Sequence, residues 1–415
     1  MSYTNQRSHD TMRSAPLLGL GMLAALPLIA SCDDDCSSCG PPPAEVSQGL
    51  VASDFNNTGH PSIIATSSVL YNPAGNAGNL KIYLSTGPGT FAQPVLIGDG
   101  NDPLYLASAD LNGDKLPDIV SASVTDGTLT VFLNNAQSPG TFATPLILPS
   151  PGASQLAIAD MNGDGLPDLV SADFNVSLFL QTSPGVFASP ISLYPGGANW
   201  VAVGDLNGDG APDVALTDNV GVKLLLHTGA PGATTYAPAV AVFTQTANRD
   251  VYGANLIAIA DVNGDGHNDL IITDPGPTGE GAPTVSVLLQ NAAAPGTFLP
   301  PVAYPTAPGS LAQSIIVSDV NGDGHPDIVI GGTWAVTVLL QNASSPGTFD
   351  AAVNYAVADA NQIAIADVNG DGYPDIVVGT GPAQPSVKGV IPNTPGVLLQ
   401  NSSSPGTFGA LEALP

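Results

Sequence analysis

The stretch Asp160-Met161-Asn162-Gly163-Asp164-Gly165-Leu166-Pro167-Asp168 decides how the rest of the chain is read. It sets three aspartates, an asparagine and two glycines within nine residues. The pattern returns at Asp110–Asp118, Asp205–Asp213, Asp261–Asp269, Asp319–Asp327 and Asp367–Asp375, with a worn copy at Asp54-Phe55-Asn56-Asn57-Thr58-Gly59-His60-Pro61-Ser62. Counted from Asp54, the start-to-start spacings are 56, 50, 45, 56, 58 and 48 residues. A period of this size marks a repeat architecture.

A second element repeats in step. Pro139-Gly140-Thr141-Phe142 matches Pro88–Phe91, Pro295–Phe298, Pro346–Phe349 and Pro405–Phe408, with looser forms at Pro184-Gly185 and Pro231-Gly232. Pro followed by Gly suits the centre of a type II turn. Short apolar runs lie between: Gln362–Ala366 before an acidic loop, Asp375–Gly379 after it, then Val397–Gln400, then the Thr-Phe segment. Each run has strand length and is too short for a helix. The unit reads as strand A, acidic loop, strand B, connection, strand C, Pro-Gly turn, strand D. Four strands in about 50 residues predict propeller blades. The expected fold is all-β: a seven-bladed β-propeller of four-stranded antiparallel blades over residues 47–415. Units this small bury too little surface to stand alone, which favours one closed ring. No spare strand is visible at the start, so closure is expected to rest on packing between blades one and seven.

The acidic loops read as calcium sites. A hard dication takes six to eight oxygen ligands. Side chains at loop positions 1, 3 and 5 can converge, position 7 adds a carbonyl, and position 9 completes the shell. The six expected sites are Asp110, Asn112, Asp114, Leu116 and Asp118; Asp160, Asn162, Asp164, Leu166 and Asp168; Asp205, Asn207, Asp209, Ala211 and Asp213; Asp261, Asn263, Asp265, His267 and Asp269; Asp319, Asn321, Asp323, His325 and Asp327; and Asp367, Asn369, Asp371, Tyr373 and Asp375. An EF-hand would place Glu at position 12. Here that position holds Ser121, Ser171, Leu216, Ile272, Ile330 and Val378. Asp-Asn-Gly clusters also form plain turns, but a turn needs one or two such residues rather than five in register. Loop one has Thr58 and Ser62 where the others have carboxylates, and loop two has Lys115 in place of glycine. Both are expected to bind more weakly or, for loop one, not at all.

The D-x-N-G-D-G-x-P-D repeats resemble the FG-GAP or VCBS-type repeats of the integrin α-subunit propeller and of many bacterial envelope proteins. The resemblance covers roughly residues 47–415. It implies that the loop between the first two strands of a blade binds calcium as a structural ion. The Phe-Gly and Gly-Ala-Pro signatures of integrins are poorly kept, so an integrin-like activity is not implied.

Residues 1–31 read as a signal segment, with an apolar run from Ala15 to Ala30. The ending Leu28-Ile29-Ala30-Ser31-Cys32 resembles a bacterial lipobox, in which Cys32 is lipidated. Residues 32–46, containing Cys36, Cys39 and three prolines, read as a tether. The expected place is the cell envelope, periplasmic or surface-exposed, with Cys32 as the membrane anchor. No cysteine follows Cys39, so the folded body has no disulfide.

Composition limits the function classes. The 415 residues carry a net charge of −28, yet 43% are hydrophobic and only 10% charged. An acidic disordered tail lacks such apolar content. A nucleic-acid binder needs basic patches, and none occurs. Of the 35 acidic residues only three are Glu (Glu45, Glu280 and Glu412). The five histidines lie outside any Ser/His/Asp arrangement, and no His-Glu-x-x-His occurs. The expected function is therefore non-enzymatic binding or adhesion by a monomer, toward a protein or glycan. Some polysaccharide lyases use similar propellers, so a lectin-like or polysaccharide-active protein is the alternative. Calcium loops and Pro-Gly turns should share one face of the ring. The B-to-C and D-to-A connections, variable in length, should share the other, where function usually sits. Trp200, Arg249, Tyr252, Trp334 and Lys388 map there as candidate ligand residues.

Overall fold

A computed structural model describes residues 45–46, 49–69, 78–98, 100, 103–172, 174–218, 220–229, 232–244, 256–275, 283–380 and 395–414. The signal segment and nearly all of the tether lie outside the described residues. Every regular element among the described residues is a β-strand.

Seven antiparallel sheets follow one another along the chain. Blade 3 shows the plan: Gln155–Ala159, Asp168–Ala172, Val176–Phe179 and Ile191–Tyr194, each pairing with the next. The second strand is buried along its whole length in blades 2, 3, 4, 6 and 7. It is sandwiched within its own sheet and between neighbouring blades, which explains its near-continuous apolar sequence. The fourth strand forms the outer edge and exposes residues such as Val95, Ile147 and Val302. The first strands lie innermost, each beside that of the next blade, and Ala360–Ala366 lies beside Leu50–Ser53. The sheets thus form a closed seven-bladed β-propeller.

Three details differ from expectation. The Thr-Phe segment is not the outer strand in most blades. Phe91 and Phe187 close small two-stranded hairpins, while Phe142, Phe298 and Phe349 make single bridges. The outer strand begins a few residues later, as Val95–Gly98 does in blade 1. Only in blade 7 do the two merge, in Phe408–Ala413. Second, Glu45 and Val46, assigned to the tether from sequence, pair with Val69 and Ser68 of blade 1. Third, closure is more than packing. Leu50, Ile63 and Tyr83 share a core with Ala364, Val377 and Leu414. In addition, the Leu50 N–H donates to Gln362 Oε1 at 2.8 Å, and the Gly89 N–H donates to the Val368 carbonyl at 2.7 Å.

Candidate metal loops and the opposite face

In blade 3 the loop is held by its own side chains. Asp160 Oδ1 accepts the N–H groups of Gly163 (2.7 Å) and Asp164 (3.1 Å), and Oδ2 accepts that of Gly165 (2.7 Å). Asn162 Oδ1 accepts the Asp164 N–H, and Asp164 Oδ1 accepts the Leu166 N–H, both at 2.9 Å. These are successive side-chain-to-backbone turns, which Asp and Asn make readily. Gly163 and Gly165 have φ of 72° and 86°, so the tight path needs residues without a Cβ penalty. At the equivalent of Gly165, Lys115 is forced to φ 71°.

The ninth residue plays a second part. Asp168 is fully buried, with Oδ2 accepting the Met161 N–H (2.9 Å) and Oδ1 the Gln181 N–H (2.7 Å). It ties the loop to the end of the third strand. Asp118, Asp213, Asp269, Asp327 and Asp375 make the same two bonds in their blades. Burial, then repulsion from Asp164 and Asp160, pushes the Asp168 carboxyl up to about 6 against the pull of its two N–H donors. The polar residue two positions past the third strand (in blade 7 the last residue of that strand) is part of the same device, and sequence reasoning did not single it out. Gln400 donates through Nε2 to the Pro374 and Val320 carbonyls and accepts the Gly406 N–H; Gln341 donates to the Pro326 carbonyl. The available signal was the polar residue in register at Asn134, Gln181, His227, Gln290, Gln341 and Gln400.

The Pro-Gly turns sit on the same face as the loops and stitch the seams. The Gly185 N–H donates to the Leu111 carbonyl of the preceding blade's loop, and the Gly347 N–H to that of Val262. Loop one folds alike with fewer charges. Asp54 accepts the Thr58 and Gly59 N–H groups at 2.8 and 2.7 Å, and Ser62 Oγ takes the place of the ninth carboxylate by accepting the Ser85 N–H.

On the opposite face three turns between second and third strands expose large apolar side chains: Phe174 (68%), Val220 (57%) and Trp334 (47%). Trp200 does not belong with them. It is only 8% exposed, its indole N–H donates to the Ile257 carbonyl at 3.1 Å, and its ring meets Tyr105 edge-on at 5.7 Å. Tyr105 belongs to blade 2 and Trp200 to blade 4, so the contact reaches past blade 3 inside the ring. Trp200 is a core residue because an inner strand faces the axis, where no solvent surface is left for it. Arg249, Tyr252 and Lys388 lie outside the described residues.

The model of the FG-GAP-like repeat matches six overlapping stretches, residues 54–121, 110–171, 160–216, 205–272, 261–330 and 319–378. The chain belongs to the FG-GAP-like repeat family. Each FG-GAP match runs from one acidic loop through the next, so the worn first loop is inside the family pattern. No curated protein matches the chain in sequence. Solved structures resemble it in fold. One is a lectin of Agrocybe aegerita described by specific recognition of non-reducing terminal N-acetylglucosamine, 20% identical, TM-score 0.50, covering 74% of this chain and 80% of the lectin. Another is a putative 6-phosphogluconolactonase of Bacteroides fragilis, 13% identical, TM-score 0.50, covering 75% and 85%. A similar protein of Bacteroides uniformis is 14% identical, TM-score 0.50, covering 75% and 86%.

The FG-GAP loops offer a hard cation oxygen donors only, in kind and order suited to calcium. Among the described residues no three Asp, Glu, His or Cys side chains are already gathered as a metal-binding group. The carboxylates are spread along the loop by the amides they accept. Each carboxylate oxygen has two lone pairs: Asp160 Oδ1 spends both on N–H groups, whereas Asp160 Oδ2 and the oxygens of Asp164 and Asp168 each accept one N–H and keep a lone pair for a cation. The residues therefore fit the ion, with Asp160, Asn162, Asp164 and Asp168 of blade 3 and their five counterparts as holders.

Proposed function

We propose that this FG-GAP propeller is a calcium-stabilised, non-enzymatic binding scaffold, anchored at the cell envelope through lipidated Cys32. Its ligand surface is the face opposite the acidic loops. One observation supports the calcium part above the rest. Loop one makes the turn with a single carboxylate, Asp54, while each of the other six loops keeps three. Turn formation alone accounts for one or two; mutual repulsion of the rest is unfavourable until a cation enters. The chain's own residues then bind and orient, the loops holding the blade seams that the Pro-Gly turns cross.

The ligand part rests on the contrast between faces. One face repeats the same loop, and the other varies in its loops and exposes Phe174, Val220 and Trp334 at its turns; variable loops on a rigid scaffold are where binding residues concentrate. Calorimetry with and without chelator tests the first part: the melting temperature should rise with calcium added up to the millimolar range. A melting temperature unmoved by calcium would sink it. The second reading, a lectin-like or polysaccharide-active protein, draws on Trp334 and on fold likeness to a lectin. A glycan array in excess calcium, with a screen for unsaturated sugar products, separates the readings.

A further inference from the structure

The chain enters the propeller at the face opposite the acidic loops. Glu45 and Val46 pair with Val69 and Ser68, at the end of the strand Ser62–Val69 that points away from loop one. They lie in line with the innermost strand Leu50–Ser53, which pairs with the other end of the same strand. Glu45 is thirteen residues after Cys32. A chain of that length spans about 20 Å as a coil and about 45 Å at full stretch. From this entry point the way to the acidic face crosses the blade, about 14 Å over its four strands, and descends the outer edge, about 26 Å along eight residues. That path is close to full stretch before any distance to a membrane is added. A lipid on Cys32 therefore holds the entry face, and not the acidic face, toward the bilayer.

We propose that this face docks on the bilayer that holds Cys32, with Phe174, Val220 and Trp334 entering the headgroup region. The inference rests on the proposed lipidation of Cys32 and on the binding role of this face, and it names the bilayer as what the face meets. Single exposed apolar side chains are ordinary on a protein surface. These three count because they stand at turns on the face where the anchor enters. Trp favours the membrane interface, where its ring is buried and its N–H stays wet. The Trp334 turn is braced: its N–H donates to Ser310 Oγ (3.1 Å), its carbonyl accepts the Val357 N–H (3.3 Å), and the Thr333 carbonyl accepts the Asp359 N–H (2.9 Å). Beside Val220, Asp218 accepts two backbone N–H groups and pairs with Lys223, which lowers the cost of bringing its charge near lipid. Loops two to seven place three aspartates each on the far face. Among the described residues the entry face carries fewer acids: Glu45, Asp126, Asp218, Asp274, Asp359 and Glu412. It is still acidic on balance, so the contact suits zwitterionic lipid and is apolar in nature. A shallow contact suffices, because the lipid on Cys32 makes it an intramolecular event.

The test uses the lipidated full chain in phosphatidylcholine vesicles with excess calcium. Lipid brominated near the headgroup end of its acyl chains serves as a contact quencher of tryptophan. The chain has two tryptophans and Trp200 is buried, so brominated lipid should remove about half of the emission. Trp334→Phe should abolish the quenching. Phe174→Asp combined with Val220→Asp should reduce it about twofold or more, while the protein still floats with the vesicles. High salt should leave it unchanged, the contact being apolar. Flotation without quenching of Trp334 overturns the docking and leaves the anchor standing, with this face free for a protein or glycan. Quenching that is lost at high salt, or that survives Trp334→Phe, also overturns it. An unmodified mass at Cys32 with no flotation overturns the anchor and the docking together.

Discussion

Consider Asp164→Ala in the third loop. The Asp164 carboxylate lies on the exposed side of the loop, where it accepts the Leu166 N–H at 2.9 Å and pairs with the Asn162 amide at 3.0 Å. Water can replace both bonds, so without calcium the change should lower stability by no more than about 0.5–1 kcal/mol. With calcium it removes a ligand. Extracellular calcium modules bind with dissociation constants of about 10⁻⁴–10⁻³ M. At about 10 mM calcium one such site contributes roughly 1.4–2.7 kcal/mol by mass action. The variant should therefore lose that much more stability in calcium than in chelator, read by urea unfolding in both, and calorimetric stoichiometry should fall by one ion. Asp168→Ala should show a deficit in both conditions. It removes a ligand and also strips the acceptor from two buried N–H groups, those of Met161 and Gln181, at roughly 1–3 kcal/mol each, so it stays destabilising in chelator. An Asp164→Ala deficit equal in the two conditions, with stoichiometry unchanged, would refute the assignment of the loop to calcium.

Further predictions concern backbone, protons and core. Lys115→Gly should raise stability by about 1 kcal/mol in urea unfolding and tighten calcium binding at loop two, because Lys115 sits at φ 71° where the other loops have glycine at 80–87°. In chelator, the protein should be more stable at pH 5 than at pH 7.5. Burial pushes Asp118, Asp168, Asp213, Asp269 and Asp327 up to about 6, whereas the unfolded chain titrates them near 3.9. Between those values the folded form holds more protons, so stability is fullest below about 4 and is lost as pH rises through about 6. Saturating calcium should reverse the order, and urea midpoints at both pH values check it. Trp200→Phe should lower stability by roughly 1–3 kcal/mol in urea unfolding through the lost bond to Ile257 and the smaller ring.

The loops were the most legible part. Asp160 to Asp168 and the copies of that stretch announce their own turn, because Asp and Asn act on amides two to five residues away. The strands between them were legible as short apolar runs, and with them the blade count. Other features were hidden for physical reasons. The Pro-Gly turn was recognised, but whether Phe142 starts a strand depends on how far the chain must travel to reach the outer edge, a distance set by the blade. Gln400 looked like the polar end of a strand; that its side chain spans two blades depends on where Val320 lies in space. Trp334 and Trp200 are the same residue type, yet one is exposed at a turn and the other is buried against Tyr105 and Ile257 of other blades.

By itself the sequence determined the repeat, its four-strand unit and the acidic loops, because these rest on contacts within a single repeat of about 50 residues. Only the tertiary structure decided which residues meet across blades: Gln362 with Leu50 at the closing seam, Trp200 with Tyr105 past blade 3, and Gln400 with Val320 between blades 6 and 7. Those contacts join residues far apart in the chain, and they follow from ring closure, which no single repeat encodes. Closure turns seven similar units into one body, and it makes the inner strands core and the far turns surface.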